Sequence, residues 1–287
     1  MIWQTTLAAP ITFEGLGVHT GEHCIVTARP AAAGTGVIFQ RVDLPERPLI
    51  NPQMSGTDGS GRCTRLGNDE VSVATVEHLL AALRGLEVDN CLVEVNGPEI
   101  PIADGSAASF VEAIEAVGIT QLSQPRRIRK LLTPVWVSQD DRHLVALPCN
   151  EFRISFTFVN DRKHAALNDQ FAEFAINPTN FAAEIAPART IGWLAEVKEL
   201  RQRGLIKGGS ADIAVIIGDD DVLTPLRYSN EPVRHKILDL VGDLAALGHV
   251  NMHVIAVRSG HQLNAQLAAS IAGALKASEL TREGDKT

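Results

Sequence analysis

The stretch Pro232-Val233-Arg234-His235-Lys236-Ile237-Leu238-Asp239-Leu240-Val241-Gly242-Asp243-Leu244-Ala245-Ala246-Leu247 decides the fold. Its apolar residues Ile237, Leu240, Val241, Leu244 and Leu247 recur at helical spacing, and Gly248 follows as a residue that tolerates a left-handed cap. The spacing predicts a helix over 232–247. A strand over 252–257, a Ser259-Gly260 turn and a last helix over 263–276 follow it. The same order occurs once before. A helix is expected over 73–84, ended by Gly85, then a strand over 91–95, a turn at Asn96-Gly97-Pro98 and a helix over 107–117 stopped by Gly118. Short β-type runs precede each set, over 5–8, 24–28 and 37–40 in the first half and 135–137, 143–147 and 153–158 in the second. Each first helix carries a histidine, His78 or His235. The pattern reads as an internal duplication giving two similar α+β domains.

The domains are expected at 1–124 and 131–287, joined at 125–130, where Pro125, Arg126, Arg127, Arg129 and Lys130 suit a solvated linker. The second half holds an extra segment over 160–213. The length of 287 residues fits two domains, and 45% hydrophobic with 21% charged residues is a globular balance that excludes a disordered chain. Lys+Arg 26 against Asp+Glu 34 leaves a net charge of −8, so no overall basic balance draws the chain to nucleic acid. Four cysteines without a CxxC pair are no disulfide framework. The first ten residues lack the pattern of a signal peptide, and no apolar run approaches the roughly 20 residues of a membrane helix. A cytoplasmic chain, acting as a monomer, is expected.

Chemistry concentrates on the two histidine helices. With His235 at 0°, Asp239 falls about 40°, Asp243 about 80° and Lys236 about 100° around the helix, opposite the apolar arc. Such a stripe is ordinarily the wet face of an amphipathic helix. His and Asp at i, i+4 also suit two ligands of one Zn²⁺. The helix over 73–84 is apolar nearly all round, yet it contains Glu77-His78. A buried carboxylate beside a buried imidazole is costly without a charged partner. An ion pair of Glu77 with Arg84 is one answer. A metal answers both helices at once: His78, His235 and Asp239 as ligands, a fourth position for water, and Glu77 beside it. His261 follows the next strand and can fold back over the polar edge, where Asp243 can hold its other ring nitrogen. His23, His143, His249 and His253 stand at strand or turn positions without paired ligands. His19 sits in a glycine-rich turn that is not a phosphate loop.

Seven segments together carry a family likeness. They are Gly17-Val18-His19-Thr20-Gly21, Thr75-Val76-Glu77-His78-Leu79, Glu99-Ile100-Pro101-Ile102-Ala103-Asp104-Gly105-Ser106, Ala188-Arg189-Thr190, Gly208-Gly209-Ser210, Val233-Arg234-His235-Lys236-Ile237-Leu238-Asp239 and Ser259-Gly260-His261-Gln262-Leu263-Asn264. The set resembles the UDP-3-O-acyl-N-acetylglucosamine deacetylases, zinc amidases of lipid A biosynthesis, over almost the whole chain. The resemblance implies two α+β domains, each a sheet layered on helices, with the active site between the helix layers. It implies one catalytic Zn²⁺ on His78, His235 and Asp239, with Glu77 as general base. Thr190 would contact the oxyanion, and His261, backed by Asp243, would stabilise it and serve the leaving amine. Lys236 would lie at the substrate, Arg258 near the nucleotide phosphates and Glu196 near the polar head.

The resemblance also implies an apolar acyl passage. Trp193, Leu194, Val197 and Leu200 recur at helical spacing over 193–203 and would line it with Val18 and Ile206. Ile191 replaces the family's frequent aromatic residue, and Val159-Asn160-Asp161-Arg162-Lys163-His164-Ala165 replaces its Phe-x-His-Pro stretch. The implied substrate is a UDP-linked acylated N-acetylglucosamine. Two other readings stand beside this one: a zinc amidase acting on a smaller polar amide, and a non-enzymatic α+β binding module. Cys63 reads either as an extra ligand or as a buried thiol.

Overall fold

The computed structural model describes residues 1–52, 57–58, 62–196 and 213–284. Two main sheets carry the α+β fold. Across the first run Ile11–Leu16, His23–Pro30, Cys91–Val95, Val37–Arg41 and Leu49–Ile50. Across the second run Val135–Gln139, Arg142–Pro148, Val250–Val257, Phe152–Phe158 and Gln170–Ala175, with Arg129–Lys130 pairing beside Val250–Val257. Numbered within its own half, each sheet has the strand order 1-2-5-3-4. In each, the third and fifth strands run parallel and the other neighbours in that order antiparallel, while Arg129–Lys130 also runs parallel to Val250–Val257. The two halves therefore share one sheet topology. Period-two alternation sets the buried faces: Cys24, Val26 and Ala28 point inward, as do Val250, Met252, Val254 and Ala256.

Among the described residues the longest helices are α1 (Glu77–Gly85), α2 (Ala108–Val117), α3 (Glu231–Asp243) and α4 (His261–Gly284). The helix expected over 73–84 starts later. Ser72–Ala74 is a strand paired with Arg65–Gly67, and Thr75 has φ 57, a left-handed conformation that cannot join a right-handed helix. Pro232 sits in the first turn of α3, where its missing N–H costs nothing, and the end of the expected helix tightens into a 3-10 turn at Ala245–Leu247. α1 packs on α3. Gly242 makes that crossing possible: a Cβ there would stand 2.1 Å from the Glu77 carbonyl oxygen.

The stretch over 125–130 is not a solvated linker throughout. Pro125 ends the strand Ile119–Pro125, which pairs with Trp3–Leu7. Arg126 is buried, with Nε donating to Asp89 at 3.0 Å and Nη1 to Glu87 at 2.5 Å. His249 Nε2 lies 2.8 Å from the same aspartate. This ion-paired seam ties the start of the second half to the loop after α1. The segment over 160–213 contains Gln170–Ala175, the fourth strand of the shared plan, and adds Ile191–Trp193, which pairs in parallel with Val215–Ile217 beyond it. Trp193 therefore ends a strand and does not open the helix expected over 193–203. Leu194 to Glu196 are helical, and Val197, Leu200, Ile206 and the Gly208-Gly209-Ser210 motif lie outside the described residues.

Candidate active site

The α1–α3 crossing brings His78, His235 and Asp239 together in the interior, each 3% exposed or less. Their candidate ligand atoms lie within 4.8 Å of one another. His235 Nε2 is 3.2 Å and His78 Nε2 3.6 Å from Asp239 Oδ1, and the two rings stand nearly perpendicular. His235 Nδ1 lies 3.0 Å from the Ala188 carbonyl, to which it donates. That bond leaves the Nε2 lone pair facing a carboxylate oxygen, an arrangement a cation between them would relieve. Burial also lowers the His235 pKa and favours the neutral ring. Burial opposes the charge of Asp239, but its close partners, with the Lys236 ammonium as the standing cation, outweigh it and hold its carboxyl well below the usual range. Lys236 Nζ donates to Asp239 Oδ2 at 2.5 Å. Two imidazoles and a carboxylate form a donor set that fits a divalent metal such as zinc.

Glu77 opens α1 beside this cluster. It accepts from the Thr64 backbone N–H at 3.0 Å and makes no pair with Arg84, whose guanidinium lies over the Phe152 ring at the far end of the helix. Burial pushes the Glu77 pKa up to about 7, against the opposing charge of His261 and with help from Asp243 and Asp239. His261 is the first residue of α4, not a loop residue. Its Nδ1 donates to Asp243 Oδ2 at 2.9 Å. Burial works against its charge, but Asp243 outweighs it and raises the His261 pKa to about 10.

A cavity of about 510 Å³ opens over these groups. His78, His235, Asp239, Glu77, His261, Lys236, Thr190, Val18, Ile191, Trp193 and Glu196 all line it. Thr190 is set there by its backbone N–H, which donates to Gly105 at 2.8 Å. Gly105 has φ +81, and a Cβ would meet the Ile213 carbonyl oxygen at 1.9 Å. Asp243 stands behind His261 and not on the wall. Arg258 is not among the lining residues, and its guanidinium pairs with Asp141 and Asp161. Glu196 pairs with Arg62 at 2.6 Å and with Arg162, whose guanidinium stacks over Trp193 at 4.4 Å. The departing segment over 159–165 thus reaches the cavity rim.

Sequence reasoning passed over His19, Ile102, Ile216 and Leu223, which also line the cavity. His19 is held there by Glu99, which accepts from the backbone N–H groups of His19 and Thr20 and from the Thr75 hydroxyl. Cys63 lines the wall as well, with burial and the Glu77 charge pushing its thiol up to about 11. His249 and His253 keep structural partners, Asp89 and Ser155.

A family model for UDP-3-O-acyl N-acetylglycosamine deacetylase (LpxC) matches residues 4–273. The chain belongs to this family. A UDP-3-O-acyl-N-acetylglucosamine deacetylase of Nostoc sp. is 45% identical over 275 residues, covering 93% of this chain and 98% of that one. Its counterpart in Geobacter sp. is 43% identical over 270 residues, covering 93% and 88%, and that of Syntrophotalea carbinolica 38% over 288 residues, covering 99% and 93%. The deacetylase match spans both main sheets and every site residue described above. Among the described residues of this family member, no helix is long and apolar enough to cross a membrane.

Proposed function

We propose that the chain hydrolyses the N-acetyl group of UDP-3-O-acyl-N-acetylglucosamine, a step of lipid A biosynthesis, at the α1–α3 crossing. One zinc ion would be held by His78, His235 and Asp239. When bound, it supplies Lewis-acid chemistry, polarising an amide carbonyl and making water more acidic. The observation that carries this reading is a buried His–His–Asp cluster with Glu77 and His261 lining the same cavity wall. Glu77 takes a proton from the attacking water. The new C–O bond forms as negative charge gathers on the carbonyl oxygen, where the Thr190 hydroxyl and His261 donate. The C–N bond then breaks, His261 gives its proton to the departing amine, acetic acid leaves and ionises to acetate, and the proton held by Glu77 is passed on so that both groups are reset.

Val18, Ile102, Ile191, Trp193, Leu194, Ile216 and Leu223 give the cavity the apolar wall that a 3-O-acyl chain needs. Lys236 would steady the substrate beside the metal ligands. Glu196, with Arg62 and Arg162, would meet its polar head, and Arg258 its phosphates. Val197 and Ile206 would extend the acyl wall. The two halves, 1–124 and 131–287, would be its domains, in a cytoplasmic monomer without a nucleic-acid partner. The test is acetate release from the acylated sugar nucleotide and from the same molecule lacking the 3-O-acyl group. Strong preference for the acylated form is expected. Equal turnover of both would favour an amidase of small polar amides, and turnover of neither a binding module.

A further inference from the structure

Thr64 stands where the two proton-handling groups meet. Its backbone N–H donates to Glu77 Oε2 at 3.0 Å. Its hydroxyl donates to Asp243 Oδ1 and lies 3.4 Å from His261 Nδ1. The residue is 1% exposed, so water has little access to replace either bond. Its carbonyl accepts from the Val76 N–H at 3.4 Å, which fastens this loop to the entry of α1.

Asp243 is the pivot. Its Oδ2 accepts from His261 Nδ1 at 2.9 Å and from Asn264 Nδ2 at 2.7 Å. Both bonds fall on one oxygen. The terminal torsion of an aspartate is broad, and turning about its Cβ–Cγ bond moves both oxygens together, so a bond on either one resists the turn. The Thr64 hydroxyl holds the other oxygen and so adds a buried restraint on the carboxylate plane from its opposite side. That plane fixes the His261 ring, whose Nδ1 it accepts from, and with it the aim of the opposite Nε2–H into the cavity.

We infer that Thr64 is a positioning residue for the deacetylation, acting through Asp243 on the aim of His261. The inference rests on the reading of His261 as the proton donor. Thr64 does not line the cavity, so its effect belongs to the rate and not to substrate binding. Its bond to Glu77 comes from the backbone and survives a change of side chain, so substitution isolates the hydroxyl.

The test measures kcat, KM and zinc content of Thr64→Val, which keeps the shape and loses the hydroxyl, and of Thr64→Ser, which restores it. Thr64→Val should lower kcat on the order of 10- to 100-fold, the range for losing a hydrogen bond to a charged group, with KM and zinc content unchanged. Thr64→Ser should return close to wild type. In an Asp243→Ala background, Thr64→Val should cost nothing further in single-turnover rate, because its target is gone. An equal loss in both backgrounds, a wild-type kcat in Thr64→Val, or zinc loss that Thr64→Ser does not rescue would each overturn the proposal. Wild-type turnover by His261→Ala would instead reject the reading of His261, and the role of Thr64 with it.

Discussion

Glu77 is buried and His261 largely so, and their surroundings push both pKa values up, to about 7 and about 10. Hydrolysis needs the first ionised and the second protonated, which holds together only between the two values. The profile of kcat/KM against pH should therefore be a bell, its acid limb set by Glu77 and its basic limb by His261, both moved to lower pH than in the metal-free site by the charge of a bound cation. Asp243→Ala removes the charge that raises His261, so its basic limb should move to lower pH. His261→Ala should be slow at every pH. A basic limb that stays in place in both variants would show that His261 is not the required acid. Glu77→Ala should keep its metal, because Glu77 is not in the ligand cluster, and lose on the order of 10² to 10⁴ in rate. Near-wild-type turnover would remove Glu77 from the mechanism.

At the scale of elements, the ligand distances depend on how closely α3 approaches α1. Gly242→Ala places a Cβ 2.1 Å from the Glu77 carbonyl oxygen, backbone that cannot turn aside. It should cost about 1–3 kcal/mol, as overpacking does, and weaken metal affinity by parting His78 from His235. Gly273→Ala in α4, where nothing lies within 4 Å, should stabilise by about 0.5–1 kcal/mol. Denaturant unfolding and metal content check both, and equal effects at the two glycines would contradict the close crossing. The histidine helices were legible because their apolar residues keep helical spacing and their polar residues gather on one edge. The start of α1 was not, since Thr75 breaks the helix through a positive φ that its residue type does not announce. Nor was the burial of Arg126, which depends on Asp89, a partner 37 residues away. Thr64 and His19 escaped for the same reason: Asp243 and Glu99 reach them from distant parts of the chain.

For the whole molecule, the shared topology of the two sheets sets both histidine helices on one plan, and their pairing makes the site. The seam of Arg126 with Glu87, Asp89 and His249 lies away from the cavity and ties the halves together. Arg126→Ala leaves Asp89 without its main countercharge in a site that is 9% exposed, and should cost about 3–5 kcal/mol in stability while zinc content holds. A loss below 1 kcal/mol would show the seam to be incidental, by the measure of exposed pairs at about 0–1 kcal/mol. The central claim is that deacetylation depends on one metal ion held by His78, His235 and Asp239. Its most direct test is acetate release from UDP-3-O-acyl-N-acetylglucosamine by metal-stripped protein titrated with zinc, for wild type and His78→Ala. Wild-type activity should rise from near zero and level off at one zinc per chain, while His78→Ala neither retains zinc nor recovers. Full turnover by the stripped protein, or full zinc occupancy in His78→Ala, would contradict the account.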